Sequence, residues 1–122
     1  MTWTARNTGL DQNTNYIAIH PKTRHLLSAG HVLLAATDGG IFRTENGGRY
    51  WEQAVLPDPS NAEFGDAPAA TVDELIFDWI DYDPSDSSII YCRGLKVANS
   101  RMWIYKSADN MTSWSSRGVV VV

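Results

Sequence analysis

Five carboxylates, Asp73, Glu74, Asp78, Asp81 and Asp83, are the groups in this sequence best suited to chemistry, all within one short stretch. Glycoside hydrolysis uses two such groups, one as acid and the other as base or nucleophile. In a strand over 79–83, Asp81 projects away from Ile80 and Tyr82. Asp81 and Asp83 are therefore the catalytic pair to weigh. The plainer reading, a solvated acidic edge, is preferred, because no partner group is visible elsewhere. Calcium-loop spacing is missing from the cluster, and no metal site is expected. His20, His25 and His31 lack zinc-site spacing and read as solvated turn residues. The single cysteine, Cys92, rules out an internal disulfide and reads as a small buried hydrophobe rather than a reactive thiol. Asp38-Gly39-Gly40 has no helix after it, so a tight turn is expected there rather than a phosphate loop. No cofactor is predicted.

The bulk properties narrow the partners. A chain of 122 residues has room for one domain and one modest core. A net charge of −4 with scattered Lys and Arg argues against nucleic acid and anionic membrane, since counterion release needs clustered cations. Five tryptophans and five tyrosines favour β-rich packing. No signal-peptide pattern and no apolar run of the roughly 20 residues that span a bilayer is visible.

The elements that must position these residues come as a repeat. Thr44-Glu45-Asn46-Gly47-Gly48-Arg49-Tyr50-Trp51 returns as Ser107-Ala108-Asp109-Asn110-Met111-Thr112-Ser113-Trp114, 63 positions on. Upstream, Tyr16-Ile17-Ala18-Ile19-His20-Pro21 lies over Trp79-Ile80-Asp81-Tyr82-Asp83-Pro84 at the same offset, which suggests a duplicated unit. Each unit has four short strands: 16–20 and its copy, stopped by Pro21 and Pro84; 32–37, matched loosely by 89–92; 41–45, matched by 102–107; and a fourth beginning at Trp51 and Trp114. The expectation is an all-β single domain over 1–122, with repeat 1 at about 10–56 and repeat 2 at about 73–122. A lone fourth strand is predicted at 2–8, where Trp3-Thr4-Ala5-Arg6 resembles Trp114-Ser115-Ser116-Arg117. Between the repeats, about 57–72 reads as an exposed insertion loop, with three prolines and many small polar residues. A helical turn or two within 71–79 is the minority reading.

The turn between third and fourth strands needs a hydroxyl, an Asp or Asn that bonds backbone N–H groups ahead of it, a residue tolerant of positive φ, and a buried tryptophan. Residues 35–51 resemble the Asp-box repeat, S-x-D-x-G-x-T-W, of sialidases, xyloglucan-type glycoside hydrolases, sortilin-like receptors and photosystem assembly factors. The positions that carry the resemblance are Thr44, Asn46, Gly48 and Trp51, then Ser107, Asp109 and Trp114, all structural. Asn46 replaces the family's Asp, Tyr50 its Thr and Met111 its Gly, so the second turn should be strained or altered.

The resemblance implies β-propeller blades, two four-stranded antiparallel sheets, where about four to eight are needed to close a ring. Two blades leave two apolar faces open, and such faces mark interfaces. Either several chains complete a ring as a homo-oligomer, or the chain is a piece of a larger propeller. Phe64, Trp79 and Tyr82 are the candidate binding residues, offering aromatic surface to a glycan or a protein. The implied role is a non-catalytic module for binding or structural assembly. The alternative is a fragment of a xyloglucanase- or sialidase-like hydrolase, although the sialidase arginine triad is not evident. By family resemblance, an extracellular or virion-associated location is open.

Overall fold

A computed structural model of the protein describes residues 9–10, 12–21, 32–59, 71–96 and 101–120, without the side chains of 101 and 117–120. The predicted strand at 2–8, most of the insertion, Phe64, His25 and His31 lie outside the described residues. Within them the chain is all-β, apart from one 3-10 turn. β1 (Thr14–Ile19), β2 (Leu33–Thr37), β3 (Gly40–Thr44) and β4 (Glu52–Gln53) form one antiparallel sheet in chain order. β5 (Ile76–Asp83), β6 (Asp86–Lys96), β7 (Arg101–Ser107) and β8 (Ser115–Val120) form a second in the same order. Neither sheet closes into a barrel.

Local chemistry sets most of the strand ends. β1 stops before Pro21, and β5 stops at Asp83 before Pro84. At the β2–β3 hairpin the Thr37 hydroxyl donates to Gly40 O (2.8 Å) and accepts from Gly39 N (3.1 Å), while Gly40 takes a φ of 127°. At the β5–β6 corner, Asp83 Oδ1 accepts from the backbone and hydroxyl of Ser85, and Asp86 Oδ1 does the same for Ser88. The helical turn within 71–79 is a single 3-10 turn, Val72–Glu74. Its Glu74 pairs with Lys96 at 2.6 Å.

β6 runs well beyond the predicted 89–92. Ser87, Ser88 and Gly94 look like strand breakers, yet β6 is paired on both sides, which supplies the ladder bonds that outweigh local preference. Gly94 has a specific reason to be there. It faces Phe77 across the ladder, and a Cβ on it would lie 2.8 Å from Leu75 Cδ1 and 3.1 Å from Phe77 Cε2.

The core lies between the sheets. Ala18, Leu34, Ala36 and Ile41 from one face of the first sheet meet Phe77, Ile80, Tyr82, Ile90, Cys92, Trp103, Tyr105 and Trp114 of the second. Phe77 and Ile80 are three residues apart and would normally point to opposite sides of β5. A bulge solves this. Phe77 pairs with Gly94 and Trp79 with Arg93, so Asp78 is the extra residue and the alternation is reset. The chain passes from one sheet to the other through Leu56, which is buried, and Pro57, whose carbonyl accepts the Tyr105 hydroxyl at 2.7 Å. The Asn15 amide fastens the other side, donating to Asp38 Oδ1 (2.8 Å) and to Phe77 O (2.9 Å).

The sheets stack like on unlike. β2–β3 pairing sets Ala36 opposite Ile41 and Ala35 opposite Phe42, and β6–β7 pairing sets Arg93 opposite Ile104 and Cys92 opposite Tyr105. Aligning β3 with β7 at the 63-residue offset therefore matches Ala35 with Cys92, an offset of 57 for the second strands. In the first sheet, the Ala36–Ile41 face looks into the core. In the second, the face that looks inward carries Cys92 and Tyr105, the counterparts of Ala35 and Phe42. The two sheets thus meet through non-equivalent faces, as successive members of a directional stack.

Candidate functional site

The two turns between third and fourth strands share a framework of three bonds; the first adds one from Asn46 N to the Thr44 hydroxyl, the second one from the Ser113 hydroxyl to Asp109 Oδ2. The Thr44 hydroxyl donates to Asn46 Oδ1 (2.7 Å) and accepts from Gly48 N (3.1 Å), and Asn46 Oδ1 accepts from Tyr50 N (3.1 Å). In the second turn the Ser107 hydroxyl donates to Asp109 Oδ1 (2.9 Å) and accepts from Met111 N (2.9 Å), and Asp109 Oδ1 accepts from Ser113 N (2.9 Å). The hydroxyls are buried and their backbone partners would otherwise be lost from the ladder, so the side chains replace the bonds that the turn interrupts.

Both turns use two consecutive residues at positive φ: Gly47 and Gly48 at 71° and 94°, then Asn110 and Met111 at 56° and 73°. The second turn keeps the geometry of the first, and the strain falls on Met111. Replacing Met111 with glycine should raise stability by about 0.5–1 kcal/mol, the left-handed cost being partly offset by glycine's greater unfolded entropy. A denaturation midpoint that falls instead would show that the Met111 side chain, packed against the core, outweighs the strain.

The same geometry fixes the charge state of the second turn. Bonds from the hydroxyl and backbone of Ser113 hold Asp109 below its ordinary carboxylate range, as Ser85 does for Asp83 and Lys96 for Glu74. A folded-state value below the unfolded one stabilises above the unfolded pKa, and that contribution is lost as pH falls through the folded value. The melting temperature should therefore hold near neutrality and decline below about pH 4. Asp109→Asn should flatten part of that decline and leave neutral stability close to wild type, since Asn46 already does the same work uncharged. Asp109→Ala should lower the melting temperature at both pH values.

The predicted catalytic carboxylates are separated in role. Asp81 is exposed on the outer face of β5, with its Oδ1 accepting from Tyr82 N at 2.8 Å. Asp83 is committed to the Ser85 turn, and its other oxygen lies 3.5 Å from the Tyr91 hydroxyl. Asp78 is held by Arg93 in a two-pronged ion pair at 2.8 and 3.0 Å. Among the described residues, no group of three or more His, Cys, Asp or Glu side chains could hold a metal ion, and no helix is long and apolar enough to cross a membrane. Cys92 is buried and its thiol pushed well up by desolvation, so it is held protonated.

Of the three candidate binding residues, Phe64 lies outside the described residues, and the structure sets the other two on opposite faces. Tyr82 is in the core, edge-on to His20 at 5.0 Å, and burial pushes its hydroxyl up to about 12. Trp79 is half-buried on the outer face, where it pairs with Arg93. His20 thus has a ring contact and a backbone bond to Val32 O rather than a free turn position. A cleft of about 220 Å³ opens between the sheets at the β2–β3 hairpin, with Gln53 and Asp73 at its rim and Ile41, Leu56 and Phe77 below.

Two open apolar faces were expected from the sequence, but not the residues that form them. On the first sheet, Ile17 and Ile19 are 42% and 41% exposed beside partly buried Leu33. Phe42 and Trp51 on this face are already covered, with Leu10 packed against them. On the second sheet, the outer face carries Trp79, Tyr91, Arg93, Leu95, Met102 and Ile104, all half-buried. The signal for both was strand alternation, which β5 obscures by its bulge. Comparison with protein-family models, curated proteins and solved structures gives no match.

Proposed function

We propose that this chain is a two-blade Asp-box β-propeller module with a non-catalytic role in binding or structural assembly. The observation that carries the reading is the stacking of two equivalent sheets through unlike faces, the arrangement that lets blades follow one another around an axis. The paired turns support it, because residues at matching positions make matching bonds despite the changes to Asn46, Tyr50 and Met111.

The carboxylates support the non-catalytic side. A glycosidase acid needs a carboxyl raised toward neutrality, whereas Asp83 is displaced downward and Asp78 is tied to Arg93. Incubating the protein with a panel of chromogenic glycosides should release no chromophore. Hydrolysis that disappears in Asp81→Asn or Asp83→Asn would overturn this reading in favour of a xyloglucanase- or sialidase-like hydrolase fragment. Glycan and protein ligands are the binding classes that suit a half-buried aromatic on an outer sheet face such as Trp79.

A further inference from the structure

The chain carries its own template for what covers its open faces. Inside the molecule, the face bearing Ala18, Leu34, Ala36 and Ile41 seals the face bearing Ile80, Tyr82, Cys92 and Tyr105. Ladder pairing matches the sealed face, position by position, to the outward face of the first sheet: Ile17 to Ile80, Ile19 to Tyr82 and Leu33 to Ile90 on its open side, and Ala35 to Cys92 where Leu10, Phe42 and Trp51 already cover it. It matches the sealing face to the outer face of the second sheet: Leu34 to Tyr91, Ala36 to Arg93 and Ile41 to Ile104. The internal seam therefore joins one face of each kind, and one face of each kind is left over.

We infer that the occupant of each open face is a second copy of this chain, docked head to tail, with the outer face of its second sheet on the Ile17–Ile19 face of the first. This rests on the two-blade reading above and adds the partner to it. Like faces do not meet in the internal seam, so the contact is heterologous and repeats until the ring closes. Three copies would supply six sheets, within the range of about four to eight blades that close a propeller.

The polar groups of the docking face fit this use. Arg93 and Asp78 satisfy each other at 2.8 and 3.0 Å, so they can be covered together without leaving a lone charge. Lys106, over the Tyr91 ring at 5.8 Å, corresponds to Arg43, which lies partly exposed at the rim of the internal seam and paired with Glu45. Asp81 is the exception. It corresponds to Ala18, which is buried in the seam, so the contact between copies includes a carboxylate that the internal one lacks.

Light scattering on a sizing column tests the inference. Wild type should elute at a multiple of the 13.6 kDa chain mass, three times that mass for a six-sheet ring. Ile17→Lys disables one face and Ile104→Lys the other, and each alone should give a smaller species. Mixed in equal amounts, they should recover a complex of two chains, since each variant keeps the face that the other lacks. That recovery also shows both variants to be folded. Asp81→Ala should make the assembly more resistant to dilution. A monomeric wild type, or an Ile104→Lys variant that assembles normally, would overturn head-to-tail self-assembly and assign the open faces to another protein or to further blades. Neither result touches the non-catalytic reading, which fails only on glycoside hydrolysis.

Discussion

Replacing Trp103 with alanine should cost about 3–5 kcal/mol, enough to leave much of the protein unfolded at room temperature. Its side chain is 1% exposed, the largest of the fully buried ones among the described residues, and it stands on β7 beside Gly94 on the inward face. Truncation removes the transfer free energy of the indole and leaves a void that the flanking strands cannot close, because both are held in ladders. Urea denaturation followed by far-ultraviolet circular dichroism gives the measurement. Val55→Ala is the control: that side chain is 91% exposed, and its loss should stay within about 0.5 kcal/mol. Equal losses for the two would mean that the sheets do not stack through the faces described.

Gly94→Ala should be destabilising by about 1–3 kcal/mol, although alanine is the better residue for an ordinary strand interior. The added methyl group would stand 2.8 Å from Leu75 Cδ1 and 3.1 Å from Phe77 Cε2, and both neighbours are fully buried with little room to yield. The sign is the informative part. Were Gly94 merely a tolerated strand glycine, the substitution would stabilise by removing unfolded-state entropy. Pairing it with Phe77→Leu, which withdraws the ring edge, should reduce the penalty below the sum of the two single losses.

Punctuation made the strands legible. Pro21, Pro84, the Asp38-Gly39-Gly40 corner and the two hydroxyl–Asn/Asp turns bracket runs of alternating side chains, and their spacing repeats. The second strands were harder to align, because a longer first turn in one repeat balances a longer second turn in the other. The ladder settles that pairing at an offset of 57, which is also the offset between Val32 and Ile89. The length of β6 was hidden by residues whose local preferences point away from a strand and which only pairing on both sides overrules.

The site was less legible than the fold. Trp79 and Tyr82 are three residues apart with no bulge between them, so they fall on opposite faces of β5; reading them as one aromatic surface neglected that odd spacing. Asn15, Asp38 and Phe77 are joined by bonds spanning 23 and 62 residues, and no local pattern announces a clasp of that kind. Which face of each sheet is sealed is likewise a tertiary fact, fixed by the bulge at Asp78 and by Leu56 entering the core between the sheets.

Each ladder joins strands that are consecutive in the chain, which bears on how the molecule assembles. Loop-closure entropy grows with the length of chain to be gathered in, so each meander can zip hairpin by hairpin at small entropic cost. The expensive step is the single long-range one, when the Leu56–Pro57 crossing, the Tyr105 hydroxyl and the Asn15 clasp bring the finished meanders together. Low contact order within each half and high contact order between halves place the docking of the meanders, rather than strand pairing, as the slow event in reaching the native state.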